Sequence, residues 1–248
     1  MNNIYEVLSN KKIADKTFQM ILKGDTSKIS KPGQFLNIKI DDGFKYFLRR
    51  PISICTYKEN EITIIYKILG KGTEVLAKKT FGDKLDILLP LGNGYTIKNK
   101  PEKQILIGGG VGVPPLYELA KKMYSQGITF DVVLGFNTKN DVFYEEEFRK
   151  YTNHIYIATM DGSYGYKGNV LDLIKGLGLK FDYYYSCGPE RMLEALIKEK
   201  YDGQLSFEER MGCGFGACMG CSKKTVNSYK RICKDGPVLE SWEVFIDE

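Results

Sequence analysis

The chain predicts a multidomain β plus α/β protein, with an all-β unit, a doubly wound parallel-sheet unit and a small cysteine-rich module in that order. Three observations predict it. Through residue 98, short apolar runs alternate with turn residues, and only one helical pattern intrudes. From residue 99, strand-like and helix-like segments alternate repeatedly. From residue 205, four of the six cysteines crowd into one stretch: Cys213, Cys218, Cys221 and Cys233. The expected domains are 1–98, 99–204 and 205–248.

In the first unit, strands are expected at 4–8, 17–22, 34–40, 52–57, 61–68 and 84–89. Strands this short and evenly spaced suit a closed barrel or a sandwich. The one helix, 73–79, has Thr73 as its N-cap with Leu76 and Ala77 behind it. A polar linker, 98–103, follows. Strands at 104–107, 130–136, 154–159 and 183–187 then alternate with helices at 116–125, 144–150, 169–177 and 190–198. That alternation gives a parallel sheet with helices on both faces.

Composition narrows the function. A hydrophobic content of 43% supplies an ordinary core. The N-terminal residues lack the charged-then-apolar pattern of a secretory signal. No apolar run reaches the roughly 18 residues of a membrane span. A cytoplasmic, non-membrane protein is expected, in which thiols stay reduced or bind metal. The net charge of +5 is spread out, with no basic block, so nucleic acid is not an expected partner. With His154 the only histidine, His-based metal sites and Ser-His-Asp hydrolysis are poorly supplied.

The cysteines follow C-x4-C-x2-C with a later fourth, the spacing of a [2Fe–2S] site. Gly212, Gly214, Gly216 and Gly220 interleave with them, freeing backbone N–H groups to face sulfur. Structural zinc is one alternative, but it favours two short cysteine pairs and only Cys218–Cys221 is present. Disulfides are another, suited to a secreted chain.

Four further motifs fall at strand ends. In Leu48-Arg-Arg-Pro-Ile-Ser-Ile an arginine beside a stiffened strand can hold phosphate, and the serine can reach a flavin ring. A charged surface turn is the competing reading. In Ile65-Tyr-Lys followed by Gly70-Lys-Gly-Thr, a strand meets a glycine turn and a helix start, a place for an anion or simply a capped helix. Gly108-Gly-Gly-Val-Gly-Val-Pro-Pro lies where a nucleotide loop belongs, although it breaks the G-x-G-x-x-G pattern at Val113. Ser186-Cys-Gly-Pro-Glu-Arg-Met-Leu puts Cys187 at the carboxyl edge of the sheet; a small buried residue is its bland reading, as for Cys55.

R-x-x-S, G-x-G-T, G-G-G-x-G and C-G-P-x-x-M-L in this order resemble the ferredoxin–NADP reductase-like flavoproteins along the whole chain. Ser206-Phe-Glu-Glu-Arg-Met-Gly-Cys-Gly-Phe-Gly-Ala-Cys-Met-Gly-Cys is similar to the electron-transfer subunits of NAD-dependent dihydroorotate dehydrogenases, as is Thr159-Met-Asp-Gly-Ser-Tyr-Gly. The resemblance implies an FAD-binding β-barrel with FAD contacts at Arg50, Pro51, Ile52, Ser53, Ile65, Tyr66, Lys67, Gly72 and Thr73. It implies NAD contacts at Gly108, Gly109, Gly110 and Gly112 and at Cys187, Gly188 and Pro189. It implies [2Fe–2S] ligands Cys213, Cys218, Cys221 and Cys233. The implied partner is an FMN-containing catalytic subunit that oxidises dihydroorotate in pyrimidine biosynthesis, two copies of each assembling. No general acid or base for dihydroorotate is expected in this chain. The alternatives are a related FAD/[2Fe–2S] reductase subunit, of the NADH-dependent ferredoxin–NADP oxidoreductase or sulfide/sulfite reductase type, and a zinc-stabilised nucleotide-binding regulator. Met211, Phe215 and Met219 are the expected docking face.

Overall fold

The computed structural model describes residues 3–40, 46–99 and 103–245; the expected linker at 98–103 lies partly outside them. The first unit is a closed barrel rather than a sandwich. Its strands are β1 (Ile4–Ala14), β2 (Thr17–Lys23), β3 (Phe35–Ile38), β4 (Arg50–Lys58), β5 (Glu61–Lys67) and β6 (Lys84–Leu91), arranged β1-β2-β5-β4-β3-β6. Every pairing is antiparallel. Alternate residues such as Met20 and Leu22, Leu36 and Ile38, and Ile62 and Ile64 fill the interior. Closure leaves no free strand edge.

Helix α1 (Lys71–Ala77) follows β5 and sends Leu76 into the barrel core. It starts two residues before the expected position, so Thr73 is not its N-cap. The Thr73 Oγ1 instead accepts from the Leu69 and Gly70 N–H groups at 3.0 and 3.2 Å. Reading Gly70 and Gly72 as pure turn residues hid the first helical positions.

The second unit is a seven-stranded sheet. It contains β7 (Gln104–Gly109), β8 (Phe130–Phe136), β9 (Ile155–Thr159), β10 (Tyr166–Lys167), β11 (Tyr183–Cys187) and β12 (Gly203–Ser206), with β15 (Val238–Glu240) at one edge. The order is β10-β9-β8-β7-β11-β12-β15, parallel except for β15. Helices α2 (Pro114–Ser125) and α3 (Glu145–Arg149) cover one face through Leu116, Leu119, Met123 and Phe148. Helices α4 (Val170–Gly176) and α5 (Glu190–Lys198) cover the other through Leu173, Ile174, Leu193 and Leu196. The sheet is therefore doubly wound. Its winding reverses between β7 and β11, and ligands settle beyond the carboxyl ends of strands at such a reversal.

The cysteine module adds the hairpin β13 (Ser222–Lys224) and β14 (Tyr229–Arg231). It returns to the sheet through β15, so it is packed onto the second unit and is no free appendage. β12 runs across residues 204 and 205. Polar contacts lace barrel and sheet together. Tyr95 OH donates to the Ser186 carbonyl at 2.9 Å, and Thr56 Oγ1 donates to Glu118 at 2.5 Å. Among the described residues no helix is long and apolar enough to cross a membrane.

Candidate functional site

The carboxyl ends of β7 and β11 face the barrel strands β4 and β5, and two clefts open there. The first, about 550 Å³, lies on the barrel side. Arg50, Pro51, Ile52, Ser53, Ile65, Tyr66, Lys67, Gly72 and Thr73 all line it. Arg50 begins β4, its guanidinium donates to the Leu48 carbonyl, and it lies against Gly72, where a Cβ would come within 2.5 Å of Nε. One glycine thus makes room for a cation beside the start of α1. Arg49 points elsewhere and pairs with Asp86 at 2.7 Å, tying β4 to β6.

The same cleft is also lined by residues to which the sequence assigned no FAD contact: Phe35, Val111 of the glycine loop and the run from Ser206 to Met211. Cys187 also opens into it rather than into the second cleft, and burial pushes its thiol up. The run from Ser206 to Met211 belongs to the segment that carries the family resemblance, and it leads directly into the first cluster cysteine.

The second cleft, about 200 Å³, lies beyond the sheet edge. Gly109, Gly110 and Pro189 line it, with Phe136, Asn137, Met160 and Asn169 from the next two strands and α4. Gly110 has φ 52° with open space beside it, a conformation glycine adopts freely. Gly108, Gly112 and Gly188 do not line it. Gly108 packs on Val113 and Leu116, and a Cβ on Gly112 would sit 2.2 Å from the Cys187 carbonyl oxygen. These glycines let β7, α2 and β11 pack closely.

Lys67 and Val111 line both clefts. Lys67 Nζ pairs with Asp141 at 2.7 Å, joining the barrel to the sheet domain inside the second cleft. Burial raises the Asp141 carboxyl, but the Lys67 hydrogen bond and charge outweigh it, and its pKa falls below its ordinary value. No sequence motif marked Asp141, which lies 74 residues from Lys67.

The four module cysteines stand as two thiol pairs, Cys213 with Cys218 and Cys221 with Cys233. Backbone N–H groups face them. Ala217 donates to Cys213 Sγ at 3.2 Å, Gly220 donates to Cys218 Sγ at 3.5 Å, and Cys233 donates to Cys221 Sγ at 3.4 Å. For Cys213 burial raises the thiol, but amides of Cys218, Phe215 and Ala217 overcome this and bring it down to about 6. Burial and the Cys221 thiol push Cys233 up to about 12. Two thiol pairs ringed by N–H donors suit two irons, so the residues present fit a [2Fe–2S] cluster. Cys221 and Cys233 are buried, whereas Cys218 is exposed. Phe215 and Met219 are exposed as expected of a docking face, but Met211 is buried at 9% exposure and packs into the core beneath the module.

A barrel cleft with a phosphate-ready arginine, a sheet-edge cleft sharing its wall and a thiol cluster site alongside define a flavin- and nicotinamide-linked reductase architecture. Residues 106–198 match the oxidoreductase NAD-binding domain family. Residues 208–245 match the iron-sulfur cluster binding domain of dihydroorotate dehydrogenase B. The dihydroorotate dehydrogenase B (NAD(+)) electron transfer subunit of Fusobacterium nucleatum is 48% identical, with 97% of each chain covered. That of Geobacillus thermodenitrificans is 46% identical, again with 97% of each covered. The solved structure of an NADH-dependent reduced ferredoxin-NADP oxidoreductase superposes with a TM-score of 0.88 at 30% identity, covering 97% of this chain and 89% of that one. Phthalate dioxygenase reductase shares the fold, with a TM-score of 0.63 at 18% identity, 79% of this chain and 63% of that one being covered. The chain belongs to the family of electron-transfer subunits of dihydroorotate dehydrogenase B (NAD(+)).

Proposed function

We propose that this chain passes electrons from the FMN of a dihydroorotate-oxidising catalytic subunit, through its own [2Fe–2S] cluster and FAD, to NAD⁺. The work belongs to pyrimidine biosynthesis in the cytoplasm, in an assembly of two subunits of each kind. The observation that carries this reading is the shared walls. Lys67 and Val111 line both clefts, and the run from Ser206 to Met211 lines the barrel cleft and leads into Cys213. A cofactor in the barrel cleft therefore touches the nucleotide site on one side and the cluster module on the other.

Bound there, FAD exchanges electrons singly or in pairs, the cluster singly and the nicotinamide as hydride. The chain supplies placement. Arg50 with Gly72 and Thr73 holds the flavin's phosphates, and Pro51, Ile52, Ser53, Ile65, Tyr66 and Lys67 form the wall along its ring. Gly109, Gly110 and Pro189 receive the nucleotide, while Gly108, Gly112, Cys187 and Gly188 keep the strand ends close enough to do so. Cys213, Cys218, Cys221 and Cys233 hold the cluster. The labour divides as residues 1–98 for FAD, 99–204 for NAD and 205–248 for the cluster. Dihydroorotate is handled by the partner, so this chain needs no general acid or base for it.

The related-reductase reading is favoured by the 0.88 superposition, yet identity there is 30% against 44–48% for the dihydroorotate dehydrogenase subunits. Purified chain should show flavin absorption with an iron–sulfur shoulder, and NADH should bleach the flavin. A colourless protein carrying zinc would sink the proposal in favour of a non-redox regulator.

A further inference from the structure

Residues alternate along β3. Leu36 and Ile38 enter the barrel core, whereas Phe35 faces outward and joins the core cluster that also holds Met211, Cys221 and Cys233. Asn37 shares that outward side with Phe35. It is completely buried, at 0% exposure. Neither its Nδ2 nor its Oδ1 meets a hydrogen-bond partner among the described residues. Burying an unpaired carboxamide costs stability, so such a group calls for an explanation.

The surroundings supply one. A Cβ on Gly214 would lie 2.4 Å from Asn37 Nδ2, and Gly214 follows Cys213 at φ 79°. The amide therefore presses against the bare backbone of the cluster loop. On its other side, Asn37 pairs across the ladder with Pro51, and both Pro51 and Phe35 line the barrel cleft. Arg49 fixes the strand by donating to the Asn37 carbonyl at 3.4 Å and to the Asp86 carbonyl at 2.8 Å. The unpaired amide thus stands between the flavin cleft and the cluster loop, held rigidly from behind.

We propose that the Asn37 side-chain amide is an outer donor to the [2Fe–2S] cluster, its N–H meeting cluster sulfur beside Gly214. The proposal rests on the cluster reading of the four cysteines. An N–H donor to sulfur stabilises the reduced cluster, which carries the extra electron, and so raises its reduction potential. The barrel contributes directly to the cluster's potential in this way, although all four ligands come from the C-terminal module.

The test uses the flavin- and iron-loaded chain with Asn37→Leu, Asn37→Ala and Asn37→Ser. Iron analysis comes first: fewer than about two irons per chain in the parent protein would remove the cluster reading itself. With iron retained, an EPR-monitored redox titration reads the cluster, and the flavin potential serves as an internal control. The Leu and Ala variants should show a cluster potential shifted to more negative values and altered g-values, with the flavin potential unmoved. The Ser variant, which restores an O–H donor, should shift less. The cluster-free Leu variant should melt no lower than its parent, because it buries no unpaired polar atoms. Parental potential and g-values in either the Leu or the Ala variant, with iron retained, would overturn the proposal. So would a lowered melting temperature with an unchanged potential, the mark of a merely structural residue.

Discussion

Arg49 and Arg50 are adjacent and alike in sequence, yet they serve different ends. Arg49 is bound to Asp86 and the carbonyls behind β3, whereas Arg50 opens into the barrel cleft above Gly72. Arg50→Ala should weaken FAD retention by roughly 10- to 150-fold, the loss of about 1.5–3 kcal/mol for a charge-assisted hydrogen bond. Flavin content after exhaustive dialysis checks this, and full retention would remove Arg50 from the site. Cys218→Ser should lose the cluster, because a hydroxyl replaces thiolate poorly on iron. FAD should stay, since its cleft is built mainly on the barrel. About two irons still bound per chain would count against Cys218 as a ligand. At this scale the sequence was informative where a motif is local. Cysteine spacing and the R-x-x-S strand are legible because all their parts lie within a few residues. Asn37, the Lys67–Asp141 pair and the place of the run from Ser206 to Met211 in the barrel cleft were not, because each acquires its neighbours only when distant segments meet.

Among elements, the glycine loop between β7 and α2 packs as well as lining the sheet-edge cleft. Gly112 brings its backbone against the Cys187 carbonyl, where no Cβ fits. The contact is with backbone rather than a flexible side chain, so Gly112→Ala should force β7 and β11 apart at the winding reversal. We expect the sheet domain to lose several degrees in melting temperature, from overpacking of roughly 1–3 kcal/mol, and NADH to reduce the flavin more slowly. A variant with parental melting and reduction rate would show that the loop relaxes freely. The main strands and helices were legible because their apolar periodicities are strong. The short strands β10, β12, β13, β14 and β15 were not. They hold two to four residues each, and their extended form depends on a neighbouring strand rather than on propensity.

For the whole molecule, the two clefts share Lys67 and Val111, and the barrel cleft adjoins the run from Ser206 to Met211 that leads into the cluster module. Phe215 and Met219 are exposed at 56% and 53% in the loop that carries exposed Cys218. Nucleotide choice also belongs to this scale. The strand end at Gly135–Asn137 offers no arginine for a 2′-phosphate, and Lys139 is held over the Tyr164 ring at 5.8 Å. NADH should therefore reduce the bound flavin faster than NADPH, as stopped-flow absorbance would read; the reverse order would contradict the nucleotide assignment. In the proposed role, this chain connects a dihydroorotate-oxidising partner to NAD⁺. Its most direct test is NADH formation from dihydroorotate and NAD⁺, measured with this chain alone and then with the FMN-containing catalytic subunit added. The chain alone should give no turnover, NADH should form once the two are combined, and Phe215→Asp should impair that activity. Turnover by the isolated chain, or a catalytic subunit that neither binds it nor gains NAD⁺ reduction from it, would rule out this role in electron transfer.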